Sequence, residues 1–404
     1  MCSIHRSKQS PTLRQAAHGI RGFTLVELMV ALTIALLIIA AVGRIFFSSR
    51  STYQVDEGLA RLQENARFAL DALQREIRMA GLYGCIRDPS KIQNNLNSDT
   101  TFPYNLKVAI QGYEASGTGP NTTVNLSASD FTASTTMTDW TPSLDGVFSG
   151  KILPKSDIVV VRHVSPTSVP IATGTAGAYF TATSVYMANL PAAADFAVKD
   201  IAVVSDCSAA SVFQIDTRAS GSTSGVNWVR LTHDNSAAAS PGNRCPSWGT
   251  GANCDNRSYS GGAEIGKAMT TAFYVGPSAS GKGPALFRLV LRAGQLSEEE
   301  IVEGVENIQI LYGIDNATPM TGYAQQYVTA ASLATATDWA KVVSVRIGLL
   351  MRTTGSVETT TDTGNYLLGA GVAAAGTTIN PVDDKRRRRI FTTTIQLRNR
   401  LPST

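Results

Sequence analysis

A single acid interrupts an otherwise apolar run. Glu27 lies within FTLVELMVALTIALLIIAAVG, residues 23–43. An acid inside such a helix is normally paired or functional, and its chemistry here is ionic. A cut after Gly22 would make Glu27 the fifth residue. Its carboxylate would then meet the new α-amino group of Phe23 on a neighbouring subunit, replacing an isolated charge by a pair and fixing axial register. The plainer reading is an acid snorkelling near the bilayer edge of an ordinary anchor.

The other chemistry-bearing residues form few constellations. Of five cysteines, Cys85, Cys207, Cys245 and Cys254 lie beyond the apolar run, an even number that fits disulfides in an oxidising compartment. Three pairings are possible. The short stretch NRCPSWGTGANCDN favours Cys245 with Cys254, leaving Cys85 for Cys207; the alternative, a zinc site, has no CxxC or nearby histidine behind it. His163 and His233 stand apart at strand-like positions, so neither a metal cluster nor a histidine-based triad assembles, and no catalytic residue is expected. GPSASGKG at Gly276 to Gly283 departs from a P-loop, since Gly283 stands where Ser or Thr would bind magnesium. GAGVAA from Gly369 lacks the βαβ context of a dinucleotide site. The run KRRRR, Lys385 to Arg389, reads as a solvated or subunit-facing edge, not a nucleic-acid patch.

Around Glu27 the elements are clear. The formal charge of +4 resides wholly in the first 22 residues, which hold Arg6, Lys8, Arg14 and Arg21 and no acid. Without these four, 31 Lys plus Arg face 31 Asp plus Glu, so there is no global electrostatic case for nucleic acid. The basic leader precedes the apolar run directly, unlike a secretory signal with its cleavage site after the apolar stretch. Residues 23–47 would span roughly 37 Å as a helix, enough for a hydrocarbon core of about 30 Å. About 15 Phe, Leu, Ile and Val contribute on the order of −6 kcal/mol of insertion against about +3 for one central acid. The charge asymmetry places the leader in the cytoplasm and the body in the periplasm.

From Ser51 the apolar residues thin to one stripe, Leu59, Leu62, Ala66, Ala69, Leu70, Leu73, Ile77 and Ala80, the spacing of an amphipathic helix. Gly81 and Gly84 supply a stop, so one helix is expected from Phe23 to about Leu82; a break near Ser48 to Ser51 is the alternative. Beyond Cys85, β-branched or alternating runs predict strands at 157–164, 200–207, 212–216, 228–233, 270–276, 285–292, 305–315, 342–352 and 390–399. Stretches 86–150, 165–199, 217–226 and 354–384 read as surface loops or insertions. The chain of 404 residues, 43% hydrophobic, is long enough for a true core. The expected class is α+β, a long N-terminal helix packed on a β-rich antiparallel body. The division is 1–22 leader, 23–47 membrane or filament-core half of the helix, 48–84 amphipathic half, and 85–404 body with long loops, favoured as one elaborated body over two.

Gly22 followed by FTLVELMVAL, with Glu at the fifth position after the cut, resembles the class III signal of type IV pilins and type II secretion pseudopilins. That resemblance implies cleavage after Gly22 by a prepilin peptidase and methylation of Phe23. REIRMAGLYGC (Arg75 to Cys85), AFYVG with PALFRLVLR, EGVENIQILYGID (Glu303 to Asp315), WAKVVSVRIGLLMRT (Trp339 to Thr353) and the closing TTTIQLRNR are similar to the PilW family of minor type IV pilins. The family implies a low-abundance assembly subunit; no enzymatic activity and no cofactor are expected, and no metal site is read from the residues. It would prime the pilus with other minor pilins of the FimU, PilV and PilX kinds, at or near the tip with a PilY-type adhesin above the major pilin, supporting adhesion and twitching motility. Its place would be the inner membrane by a single pass, then the pilus. The rivals are a J-type minor pseudopilin, whose body is usually much shorter than the 382 residues left of 404 after the first 22, and a signal-anchored periplasmic binding domain.

Overall fold

The computed structural model describes residues 22–86, 88–172, 180–181, 183–188, 190–223, 225–233, 240–245, 254, 257–259, 262–371 and 375–400. Leader residues 1–21, with all four of its basic side chains, and most of the Cys245 to Cys254 loop lie outside them. The chain divides into two compact units, Met1–Tyr53 and Gln54–Thr404.

One helix, α1, runs Leu25–Met79 without a break at Ser48 to Ser51. It buries Leu62, Ala66, Ala69, Leu73 and Ile77, steps of three and four residues that put one stripe against the core. Leu59 and Leu70, at the stripe's margin, are only half-buried. Gly81 ends the helix in the left-handed region at φ 77°, a conformation that costs glycine nothing. Asn399 donates from Nδ2 to the Arg78 carbonyl at 3.2 Å, so a residue from the far end of the chain satisfies the terminal turn.

The strands that carry the argument are β1 (Ile110–Ala115), β2 (Ile158–Val164), β3 (Ile201–Ser205), β4 (Ala210–Gln214), β5 (Glu264–Pro277), β6 (Pro284–Arg292), β7 (Gln295–Glu303), β8 (Val305–Ile314), β9 (Val342–Arg352) and β10 (Arg388–Gln396). β5 joins two halves of a ten-stranded sheet. Its first residues pair with β3 (Ile265 with Val204) and its later ones with β2 (Thr271 with Val161) and β6 (Thr271 with Val290). β1 pairs with β2, and β7 with β6. A four-stranded antiparallel sheet sets β8 against β9 and β9 against β10, with Gln326–Val328 outside β8. The main core fills the space between them: the α1 stripe meets Val159, Val161 and Phe273 of the large sheet and Ile310, Ile347 and Ile395 of the small one. The fold is α+β with mainly antiparallel sheets, as the sequence predicts.

The expected loops need correction. Residues 86–150 contain β1, an interior strand of the large sheet, and the buried side chains of Trp140 and Phe148. Thr217–Thr223 is a strand paired with Val226–Thr232, Ser184–Ala188 extends that sheet, and Tyr366–Leu368 with Thr377–Asn380 forms a further hairpin that Thr123–Asn125 joins in parallel. These strands are short and rich in hydroxyls and small residues. They persist through partners distant in sequence, which local composition does not register.

Candidate functional site

The functional signal of the sequence lies at the start of α1. Thr24 precedes the first helical residue and Glu27 occupies the third position. Glu27 Oε2 accepts from the Thr24 backbone N–H and hydroxyl, both at 3.3 Å, and the Glu27 N–H donates to Thr24 Oγ1 at 3.2 Å. This is a reciprocal capping box, and the negative charge also complements the helix dipole there. Both bonds to the carboxylate fall on Oε2; Oε1 has no hydrogen bond among the described residues. Glu27 therefore closes its own helix and still presents an oxygen outward. Gly22 is exposed, and Phe23 is 84% exposed.

Behind this cap the helix is apolar all round and uncovered. An 18-residue window of α1 has mean hydropathy 2.8, with none of it buried. Leu25, Val26, Leu36, Leu37, Ile39 and Ile45 are among its exposed side chains. An apolar surface of that length belongs in lipid or against other helices.

In the body, α1 is held by polar contacts that the sequence did not single out. Glu76 Oε2 lies 3.2 Å from His163 Nε2 on β2, while His163 Nδ1 lies 2.9 Å from the Val164 carbonyl oxygen. Gln74 Nε2 donates to Thr393 Oγ1 on β10 at 3.1 Å. Burial works to raise the Glu76 carboxyl, but the interaction with His163, the charge of Arg288 and a hydrogen bond from Thr271 together outweigh it, leaving Glu76 below its ordinary value. The i+4 spacing of Ala72 and Glu76 on the edge of the stripe was the available signal. The partner strand was not.

The basic run needs correction too. Arg388 is wholly buried, bidentate to Glu306 at 2.7 and 3.0 Å, with Asp384 at 2.8 Å and Asp362 at 3.2 Å. Arg352 meets the same Glu306 at 3.3 Å, Arg387 pairs with Glu358 at 3.0 Å and Arg386 with Asp384 at 3.3 Å. Among Arg386 to Arg389 only Arg387 and Arg389 are exposed, and within β10 Arg388 and Arg389 face opposite ways. Much of the run is thus a built-in ion network and not a solvated edge.

Two disulfides, Cys85 to Cys207 and Cys245 to Cys254, close loops with separations of 122 and 9 residues. The first ties the segment just past α1 to the turn between β3 and β4. In the chain-entropy view it removes about 5 kcal/mol from the unfolded chain, against about 2.6 for the second. Among the described residues no group of three or more His, Cys, Asp or Glu is placed to hold a metal.

A long helix with a capped, apolar start and a β-rich body are the architecture of a helix-anchored protein. Residues 272–399 match the family model of type IV pilus-assembly protein W, and residues 18–43 match that of the prokaryotic N-terminal methylation motif. The first match takes in the later part of β5 and all of β6 to β10; the second spans the Gly22 to Phe23 junction and Glu27. Together they match a minor pilin of the PilW family and mark the chain as a type IV pilus-related, membrane-anchored structural protein. No curated protein and no solved structure matches it.

Proposed function

We propose that the protein is a minor pilin that is cut after Gly22 by a prepilin peptidase, methylated at Phe23, and drawn from the inner membrane into a type IV pilus. The observation that carries this reading is the apolar, exposed part of α1 behind Thr24 and Glu27, with no hydrogen-bond partner for Glu27 Oε1 among the described residues. In the filament that oxygen pairs with the α-amino group of a neighbour's Phe23, so charge pairing fixes register while lipid contacts are exchanged for helix contacts. The body then sits in the periplasm before extrusion. With other minor pilins of the FimU, PilV and PilX kinds it primes assembly, at or near the tip, beneath a PilY-type adhesin and above the major pilin, in support of adhesion and twitching motility.

The test is mass analysis of the N-terminus of membrane-extracted protein with and without prepilin peptidase, alongside sheared pili. The expected result is peptidase-dependent conversion to N-methyl-Phe23 and trace recovery in the pilus fraction. An uncut chain absent from filaments overturns the proposal in favour of an anchored periplasmic domain.

A further inference from the structure

The two long outer strands of the body are built differently. β7, at an edge of the large sheet, carries Glu298, Glu299 and Glu300 in succession, and charge on an edge strand discourages pairing with another chain. β10, the outermost strand of the small sheet, continues as IFTTTIQL from Ile390 to Leu397 with no charge, proline or glycine. Among the described residues β10 pairs only with β9.

The phase of its ladder identifies the free groups. Leu397 donates its N–H to the Val343 carbonyl, and Thr353 donates to that of Arg387. Odd-numbered residues of β10 therefore exchange hydrogen bonds with β9, and even-numbered ones turn their amides and carbonyls the other way. Ile390, Thr392, Thr394 and Gln396 present them to the open edge. Beside that edge runs a groove of about 940 Å³ between α1 and β10, with apolar Leu70 and Phe391, basic Arg67 and Arg389 and acidic Glu64 and Asp71 in its walls. Exposed Arg389 and Arg398 bracket the uncharged stretch, and neither forms an ion pair among the described residues.

We propose that β10 is a docking edge for one extended strand of another protein, about eight residues long, β-branched in the middle and acidic at both ends. Main-chain bonds to Ile390, Thr392, Thr394 and Gln396 would supply affinity, the groove would take alternate side chains, and Arg389 and Arg398 would set the length and charge of the guest. A second copy of the chain fits poorly. A two-fold pairing of β10 would bring the exposed Arg389 and Arg398 of both copies to one edge, and like charges gathered there disfavour the pairing. The proposal goes beyond the pilin reading and needs only the body's own geometry.

The experiment uses the full chain in detergent micelles and two labelled octapeptides, each with alternating Val and Thr inside, one ended by Asp at both termini and the other by Lys. Fluorescence anisotropy should show the Asp-ended peptide binding at least tenfold tighter, with the preference reversed in R389E/R398E, whose altered side chains are exposed. Hydrogen exchange should show the peptide slowing the amides of residues 390, 392, 394 and 396, while those of 391, 393 and 395 are protected in the free chain. Thr392→Pro, which removes only an edge-facing N–H, should abolish binding. Equal affinity for both peptides, unslowed edge amides, or a dimer of the full chain that Thr392→Pro disperses would each overturn the proposal, the last by assigning the edge to a second copy.

Discussion

Glu76 of α1 and His163 of β2 face each other at 3.2 Å across the main core's boundary, and His163's other ring nitrogen is already engaged by the Val164 carbonyl. The contact ties the helix to the large sheet by charge as well as by packing. Because the folded Glu76 carboxyl lies below its ordinary value of 4.5, its contribution is present above that value and is lost as pH falls through the folded one. Melting temperature should therefore drop below about pH 4.5, and Glu76→Gln should flatten that part of the profile. At pH 7, Glu76→Ala should cost roughly 1–3 kcal/mol in denaturant unfolding, since it leaves His163 without its acceptor.

Glu114 and Asp157 work in the opposite direction. Asp157 accepts from the Ala115 N–H at 3.0 Å and the Ile310 N–H at 2.8 Å, bridging β1 to β8, while Glu114 Oε2 has no hydrogen bond among the described residues. Burial, then the charge of Asp157, raises the Glu114 carboxyl strongly, so Glu114 holds the proton of the pair. A raised carboxyl contributes fully below its unfolded value near 4.5 and loses that contribution as pH rises through the folded one. Glu114→Gln should equal the unaltered protein at pH 4 and be more stable at pH 8, measured by denaturant midpoint.

Among the described residues, Glu306 is the one carboxylate paired with the buried guanidinium groups of both Arg388 and Arg352. Glu306→Ala leaves both buried cations without it, a loss of about 3–5 kcal/mol. Arg388→Lys should also destabilise, because a lysine cannot reproduce the bidentate bond. Arg389→Ala, at an exposed position, should change the unfolding midpoint by less than about 0.5 kcal/mol.

Glu27 has two roles that one substitution separates. Glutamine can still accept from Thr24 and close the helix, but it carries no charge for an amine. Glu27→Gln should therefore leave membrane insertion and peptidase cleavage intact while reducing recovery in sheared filaments by tenfold or more. Recovery equal to that of the unaltered protein would confine Glu27 to capping.

Much of the architecture was legible because its signals are local. A basic leader, an apolar run, an i+3/i+4 stripe and β-branched strands such as VVSVRIGLLMR each depend on neighbours within a few residues. The predicted strand at 342–352 coincides with β9. β1, IQGYEA, escaped detection because its glycine and polar residues break the pattern. Gly112 is needed there because the Tyr312 ring lies where a side chain would stand, a requirement set by a residue of β8.

By itself, then, the sequence determined the helix, its apolar run and amphipathic stripe, the acid near its start and the α+β class. Only the tertiary structure decided that Arg388 turns inward to Glu306, that Glu76 meets His163, and that β10 is left as an open edge. The reason is physical: helix and strand periodicity arise from contacts a few residues apart, whereas Glu306 and Arg388 lie 82 residues apart and Glu76 and His163 lie 87 apart. Which face of a strand becomes buried is settled by the element that packs on it, and that element is chosen by the fold as a whole.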